Sequence, residues 1–358
     1  MHKFGSLDAL RGWAIVGVVL VHSYYATQSF QDIKGGKFWQ SGQYGVQLFF
    51  LVSAFTLCHS YFSQKETFQL KRLFMRRWFR IAPLFYLAIL YYSYENFLSN
   101  RTDLLFDLPV TLTYLLNIFF LIDIVPPATI SIVPGGATVA VEFSFYMLLP
   151  FLLVHIKTVK AAFQLFIITL IAALLFTYFT KYLVPESYIN RYAIFFYMNI
   201  IKQMPVFSLG ILLYMVYHSK ENAIHIPKLI FFILILFFLI SIIYNIDDIL
   251  PKYIRISLMF FLLGYLLLTK EITLLVNSVT TRIGTVSFSI YIIHFAVIFW
   301  LTRLHYLNIF SNVYINLGFN FLITFFVSFL ISNITYELIE KKAILLGSLI
   351  INKSLRIS

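Results

Sequence analysis

Ten residues separate Arg11 from His22 in the first apolar stretch of the chain. Eleven helical steps of about 100° end roughly 20° past three full turns, so on a helix the two side chains point the same way, about 16 Å apart along the axis. Asp8 lies one turn before Arg11, near the same stripe. A cation and an imidazole on one face of a membrane helix are costly unless they line a protein interior or a watery cavity, which makes them functional candidates. Three further groups could do chemistry. Glu142, Phe145 and Tyr146 fall at i, i+3 and i+4 on one face, and Ser287, Tyr291 and His294 share another. Arg76, Arg77 and Arg80 form a basic cluster. Guanidinium forks grip phosphate oxygens bidentately. A histidine is poised near neutral pH to take a hydroxyl proton. A carboxylate such as Glu142 can orient the imidazole and stabilise its protonated form. Tyr146, Tyr291 or His294 can donate to an oxyanion. This set suits an acyl thioester of coenzyme A, made in the cytoplasm and rich in phosphate, entering past arginines at the inner boundary and reacting beside His22.

The elements that would position these residues are membrane spans. The chain has 358 residues, is 60% hydrophobic and only 12% charged, with mean hydropathy +0.85. A soluble domain would be nearer half apolar and a quarter charged. The chain therefore reads as an all-α polytopic membrane protein, one membrane-embedded domain over residues 1–358, without internal repeats. The net charge of +12 does not imply nucleic acid, because the basic residues cluster in loops between apolar runs. A single cysteine, Cys58, excludes an internal disulfide and any multi-cysteine metal site, and no metal is expected.

Runs long enough to cross about 30 Å of hydrocarbon fall near 8–27, 44–62, 81–98, 138–156, 162–183, 193–217, 228–246, 253–269, 284–303 and 314–338. About ten spans, with both termini cytoplasmic, put the strongly basic segments on one face. Lys252 and Arg255 count as loop charges on the other. The first run reads as a retained span, since Arg11 interrupts its start and no clean cleavage site follows. A weaker run, 108–124, carries Pro109 and ends at Pro126-Pro127. It reads as re-entrant or interfacial; were it to span, every later orientation would invert. In the ten-span reading His22 and Glu142 could share a layer, and His294 lies near mid-membrane.

At these residues the sequence resembles the acyltransferase-3 family of integral membrane O-acyltransferases. Leu7-Asp-Ala-Leu-Arg-Gly-Trp-Ala14, ending eight residues on at His22, resembles the opening signature with its Arg-x10-His spacing. Phe49-Phe-Leu-Val-Ser-Ala-Phe55, which contains Ser53, resembles the second-span motif. Arg76-Arg-Trp-Phe-Arg-Ile-Ala-Pro83 resembles the Arg-x-x-Arg motif, carried onto Arg77 and Arg80. Thr138-Val-Ala-Val-Glu-Phe-Ser-Phe-Tyr146 and Ser287-Phe-Ser-Ile-Tyr-Ile-Ile-His294 resemble the two later motifs. Two positions depart: Ala137 stands where the family usually has Trp, and Ala54 where it has Gly. The first puts the acceptor type in doubt; the second could shift packing in the second span. The soluble esterase-like domain fused to some relatives is not expected. The resemblance implies transfer of an acyl group, usually acetyl, from acyl-CoA to a hydroxyl of a cell-surface polysaccharide or lipid-linked sugar. His22 would be catalytic and Arg11 its partner near the donor, in a multi-pass protein of the bacterial cytoplasmic membrane.

Each residue also has a plainer reading. Arg11 could snorkel from a span end. The arginine cluster could be a topology signal or a seat for anionic head groups. Asp8 could simply hold Arg11, and Ser53 and His294 could serve packing or interhelical bonding. Two rival functions remain: a glycan or lipid exporter using the same His/Glu/Arg path, against which no inverted repeat is visible, and a non-catalytic lipid-binding subunit. Direct transfer and an acyl-enzyme on His22 both remain open.

Overall fold

A computed structural model describes residues 4–63, 69–99, 107–129, 131–219, 236, 250–270 and 272–357. Among the described residues there are helices and no strands. The main helices are α1 (Gly5–Ala26), α2 (Gly45–Phe62), α3 (Gln69–Leu98), α4 (Val110–Ile118), α5 (Gly136–His155), α6 (Val159–Leu183), α7 (Ile200–His218), α8 (Lys252–Thr269), α9 (Ser278–Thr285), α10 (Ser287–Arg303), α11 (Val313–Thr335) and α12 (Lys341–Ile357). Side chains close several N-termini: Thr158 accepts from Ala161 N–H at 3.1 Å, Asn312 accepts from Tyr314 and Ile315, and Asn277 and Thr280 form a capping box at α9.

The described residues contain seven helical segments long and apolar enough to cross a membrane, or up to eight if a bent pair counts as one. The ten expected from the sequence are reduced for identifiable reasons. The 228–246 run lies outside the described residues, apart from residue 236. The 81–98 run is the second half of α3, whose tyrosines dilute its hydropathy. The 284–303 run starts at a 72° bend between α9 and α10, which leaves α10 with 17 residues. Helix α4 has nine residues, about 14 Å of rise, too short to span. That agrees with a re-entrant or interfacial reading of 108–124.

The chain divides into two compact units, residues 1–55 with 209–336, and residues 56–208 with 337–358. In the first, α1 is the central helix, packed against α8, α9, α10 and α11. It approaches its neighbours backbone to backbone. A Cβ on Gly12 would lie 2.3 Å from the Thr280 carbonyl oxygen, and one on Gly284 would lie 1.7 Å from that of Asp8. Gly45 meets the Ala14 carbonyl in the same way. Small residues permit such crossings in membrane bundles. Ala54, one of the two departures from the family pattern, is fully buried. It faces Gly210 of α7, where a Cβ would come within 2.7 Å of the Ala54 methyl. The glycine at this crossing therefore stands on the opposite helix.

In the second unit, α12 lies against α3, with Gly347 over the Phe79 ring. Phe120, at a positive φ of 57°, stacks on Phe143 at 3.9 Å and 2°. Trp78 meets both rings edge-on, at 5.7 and 5.9 Å. This cluster registers α3 against α5, because Trp78 follows Arg77 and Phe143 follows Glu142.

Candidate active site

In the first unit, Arg11 donates to Asp8 at 3.0 Å, one turn back on α1. Both are largely buried, with side chains 11% and 14% exposed. Three turns on, the His22 ring packs against His294 with centroids 5.2 Å apart. Phe295 sits beside both, 4.4 Å from His22 and 4.1 Å from His294. Tyr291 lies 6.0 Å from His294 and touches Phe49. His294 is fully buried. Its Nδ1 lies 3.1 Å from the Ile290 carbonyl oxygen, which can only accept, so the ring proton belongs on Nδ1. Nε2 is then an acceptor, and it has no partner among the described residues. Ser53 is buried on α2, and Ser287 is buried at the start of α10.

In the second unit, the Arg77 guanidinium donates to Thr56 at 3.3 Å and lies 5.8 Å from the Tyr146 ring centroid, a cation–π distance. The Tyr146 hydroxyl donates to the Glu142 carboxylate. The charges of Arg80 and Glu142 both act on Arg77. Arg76 is half-buried and feels the like charges of Arg72 and Arg77. Cations held this close, with one carboxylate beside them, favour an anionic ligand.

The structure thus brings together Arg11 with Asp8, His22 with His294 and Tyr291, and Arg77 with Glu142 and Tyr146. Several neighbours escaped the sequence reading. Phe295, Thr56 and Trp78 carry no motif signal beyond adjacency. Asp123 is buried and accepts from Ser144 at 2.8 Å. Lys252 and Arg255 are helical, in the first turn of α8, and Arg255 is buried. A cavity of about 540 Å³ in the second unit is lined by Thr177, Lys181, Glu186, Asn190 and Lys202 among others, none of them a predicted site residue.

The model of the family described as an acyltransferase domain, Acyl_transf_3, matches residues 4–337, nearly the whole chain. The chain belongs to the acyltransferase-3 family. Every acyltransferase-3 motif read from the sequence, from Leu7 to His294, lies within that match. Membership together with the apolar helices makes it a multi-pass membrane acyltransferase. No curated protein and no solved structure matches the chain.

Proposed function

We propose that this acyltransferase moves an acyl group, acetyl in the simplest case, from cytoplasmic acyl-CoA to a hydroxyl of a cell-surface polysaccharide or lipid-linked sugar, in the bacterial cytoplasmic membrane. The observation that carries the reading is the His22–His294 pair on Phe295, with His22 on the same helix as the Arg11–Asp8 ion pair. A proton acceptor and a fixed cation on one stripe are what acyl transfer from a phosphorylated donor needs.

In this mechanism His22 takes the acceptor's hydroxyl proton as its oxygen attacks the thioester carbonyl. The carbon–oxygen bond forms, the carbon–sulfur bond breaks, and the thiolate leaves and is protonated. Arg77 and Arg80, with Arg76, hold donor phosphates. Glu142 fixes the Tyr146 phenol and balances Arg77. Arg11, steadied by Asp8, supplies positive charge for the donor on α1. His294 and Tyr291 support the His22 ring, and Ser53 lies on the neighbouring motif helix.

The test uses the full chain in lipid vesicles with labelled acetyl-CoA, alongside glycan analysis of a strain lacking the gene. Expected are thiol release that depends on acceptor, loss of the acyl group from a glycan that is still exported, and no transfer by an inserted His22→Ala variant. Full transfer by that variant overturns the assignment. A glycan missing from the surface altogether would instead identify an exporter.

A further inference from the structure

Helix α11 carries a polar face through the first unit. Asn320, Thr324, Ser328 and Ser332 recur at every fourth residue, all fully buried, and Asn316 and Thr335 extend the row at either end. From Asn316 to Thr335 the rise is about 28 Å, close to the hydrocarbon thickness of a bilayer.

The two ends of the row are satisfied. Asn316 donates to the Phe310 carbonyl. Asn320 donates to Thr27 and to Asn308, each at 3.1 Å. At the other end Thr335 donates to Ser289 at 3.1 Å, and Arg282 donates to Asn333 at 2.8 Å. The middle differs. The hydroxyls of Thr324, Ser328 and Ser332 are buried with no hydrogen-bond partner among the described residues, and so are the Ser23 hydroxyl and His294 Nε2.

Serine and threonine in membrane helices usually serve packing, with the hydroxyl folded onto the carbonyl four residues back. This protein shows that behaviour elsewhere: Thr27 bonds Ser23 O, Ser93 bonds Ile89 O, Thr177 bonds Ala173 O and Thr302 bonds Ile298 O. Three successive hydroxyls on α11 do not. They are left without that bond, in an interior where an unmade hydrogen bond is expensive. The Thr27–Asn320 contact joins the end of α1 to the second turn of α11. One turn further along each helix come Ser23, next to His22, and Thr324. Ser23 and Thr324 therefore lie at one level, beside His22, and Ser328 and Ser332 continue the row one and two turns further along α11.

We infer that the inner face of α11 holds a file of bound water molecules linking Ser332, Ser328, Thr324, Ser23 and His294 Nε2, and that this file passes protons to and from the histidine pair. The water-binding part rests on the buried, unpartnered hydroxyls and His294 Nε2; the proton-carrying part rests on the acyl-transfer reading. In that reaction the acceptor gives up a hydroxyl proton and the coenzyme A thiolate gains one, so a proton must travel between two partners that approach a membrane enzyme from different places. Water between hydroxyls spaced one turn apart supplies the path without a further titratable side chain.

Two measurements on the full chain in lipid nanodiscs test this. The first is Tm for Thr324→Val, Ser328→Ala and Ser332→Ala, singly and together, with lipid-facing Leu330→Ala as control. Apolar replacement of a dry, unpartnered hydroxyl raises Tm, whereas replacement of a hydrated one strips a bond from ordered water and lowers it. A lowered Tm is expected; a raised or unchanged Tm in all three overturns the water file, whether or not the protein transfers acyl groups. The second is acyl transfer by Ser328→Ala/Ser332→Ala, expected to fall about tenfold with donor KM unchanged and to be rescued by Ser328→Thr. Transfer at the parent rate in a protein with lowered Tm overturns the proton role.

Discussion

Gly284 of α9 meets the carbonyl of Asp8 on α1 so closely that a methyl group there would sit 1.7 Å from the oxygen. The obstruction is backbone, so no side chain can swing aside. Gly12, one turn past Asp8, makes the reciprocal approach to Thr280. The turn bearing Asp8 and Arg11 is thereby fixed on the short helix that precedes the His294 helix. Gly284→Ala should cost about 3 kcal/mol, the upper part of the range for overpacking, and should abolish transfer. Gly318→Ala on α11, where nothing lies within 4 Å, should be neutral or stabilise by about 0.5–1 kcal/mol. Tm of the purified variants decides; a Gly284→Ala protein as stable as the parent would contradict the close packing.

His294→Ala should lower kcat by about 100-fold and leave donor KM unchanged, because the lost group packs against His22, the proposed proton acceptor, and not against the arginines proposed to hold the donor. A parent-like kcat would reduce His294 to packing.

Arg77 offers a planar fork, one arm of which already bonds Thr56. Arg77→Ala should raise donor KM about tenfold or more, as loss of a charge-assisted bond does. Arg77→Lys should recover only part of this, since an ammonium does not reproduce the fork. Thr56→Val should change KM by less than either. Isothermal titration with coenzyme A, which lacks the acyl group, checks the same ranking without turnover.

Phe120→Ala should destabilise by about 3–5 kcal/mol, as for other buried aromatic truncations, and should raise donor KM as well. Phe120 stacks on Phe143 and meets Trp78, the residue after Arg77. A large loss of stability with an unaltered KM in the surviving protein would show that the aromatic cluster does not set the Arg77 position.

One contact outside the spans should respond to pH. Asp107 accepts from Arg191, at 3.1 Å from Nε and from the other guanidinium nitrogen as well, and from Tyr192 at 3.0 Å. The Arg191 hydrogen bonds hold its carboxyl below the usual carboxylate value of 3.8. A depressed folded-state value means the contact contributes fully above the unfolded value and is lost as pH falls through the lowered one. Proteolysis near 107–109 should stay slow from neutral pH down to about 4 and accelerate only below that. Asp107→Asn should remove the acid step. High salt should also weaken so exposed a pair.

Spacing along one helix was enough to foresee some of these relations. Asp8 with Arg11, and Glu142 with Tyr146, are neighbours three or four residues apart, and the helix period alone puts them on one face. The packing of His22 against His294, 272 positions later in the chain, depends on how helices cross, and no period encodes that. Phe295 and Trp78 drew no role from the sequence for the same reason. Arg255 was misplaced because a charge near a run boundary looks like loop whether it is solvated or buried in the first helical turn. The span count suffered from the opposite blindness. The apolar run begins at 284, almost at the 72° bend between Thr285 and Ser287, and the polar segment before it, Ser278-Val-Thr-Thr-Arg-Ile-Gly-Thr285, read as loop rather than as a helix packed on α1.

The ion pair of Arg11 with Asp8 closes within a single turn of the first helix. A nascent chain can make that bond as soon as α1 is synthesised, before any later helix exists to receive the arginine. An unbalanced arginine costs an inserting segment most at its centre, about 2.5–3.5 kcal/mol, and less toward an end; a carboxylate three residues away lightens what Arg11 costs near the start of α1 at the moment of entry. The order of biogenesis is thereby relaxed: the helix that carries the histidine can settle in the lipid first, and the rest of its bundle can gather around it afterwards.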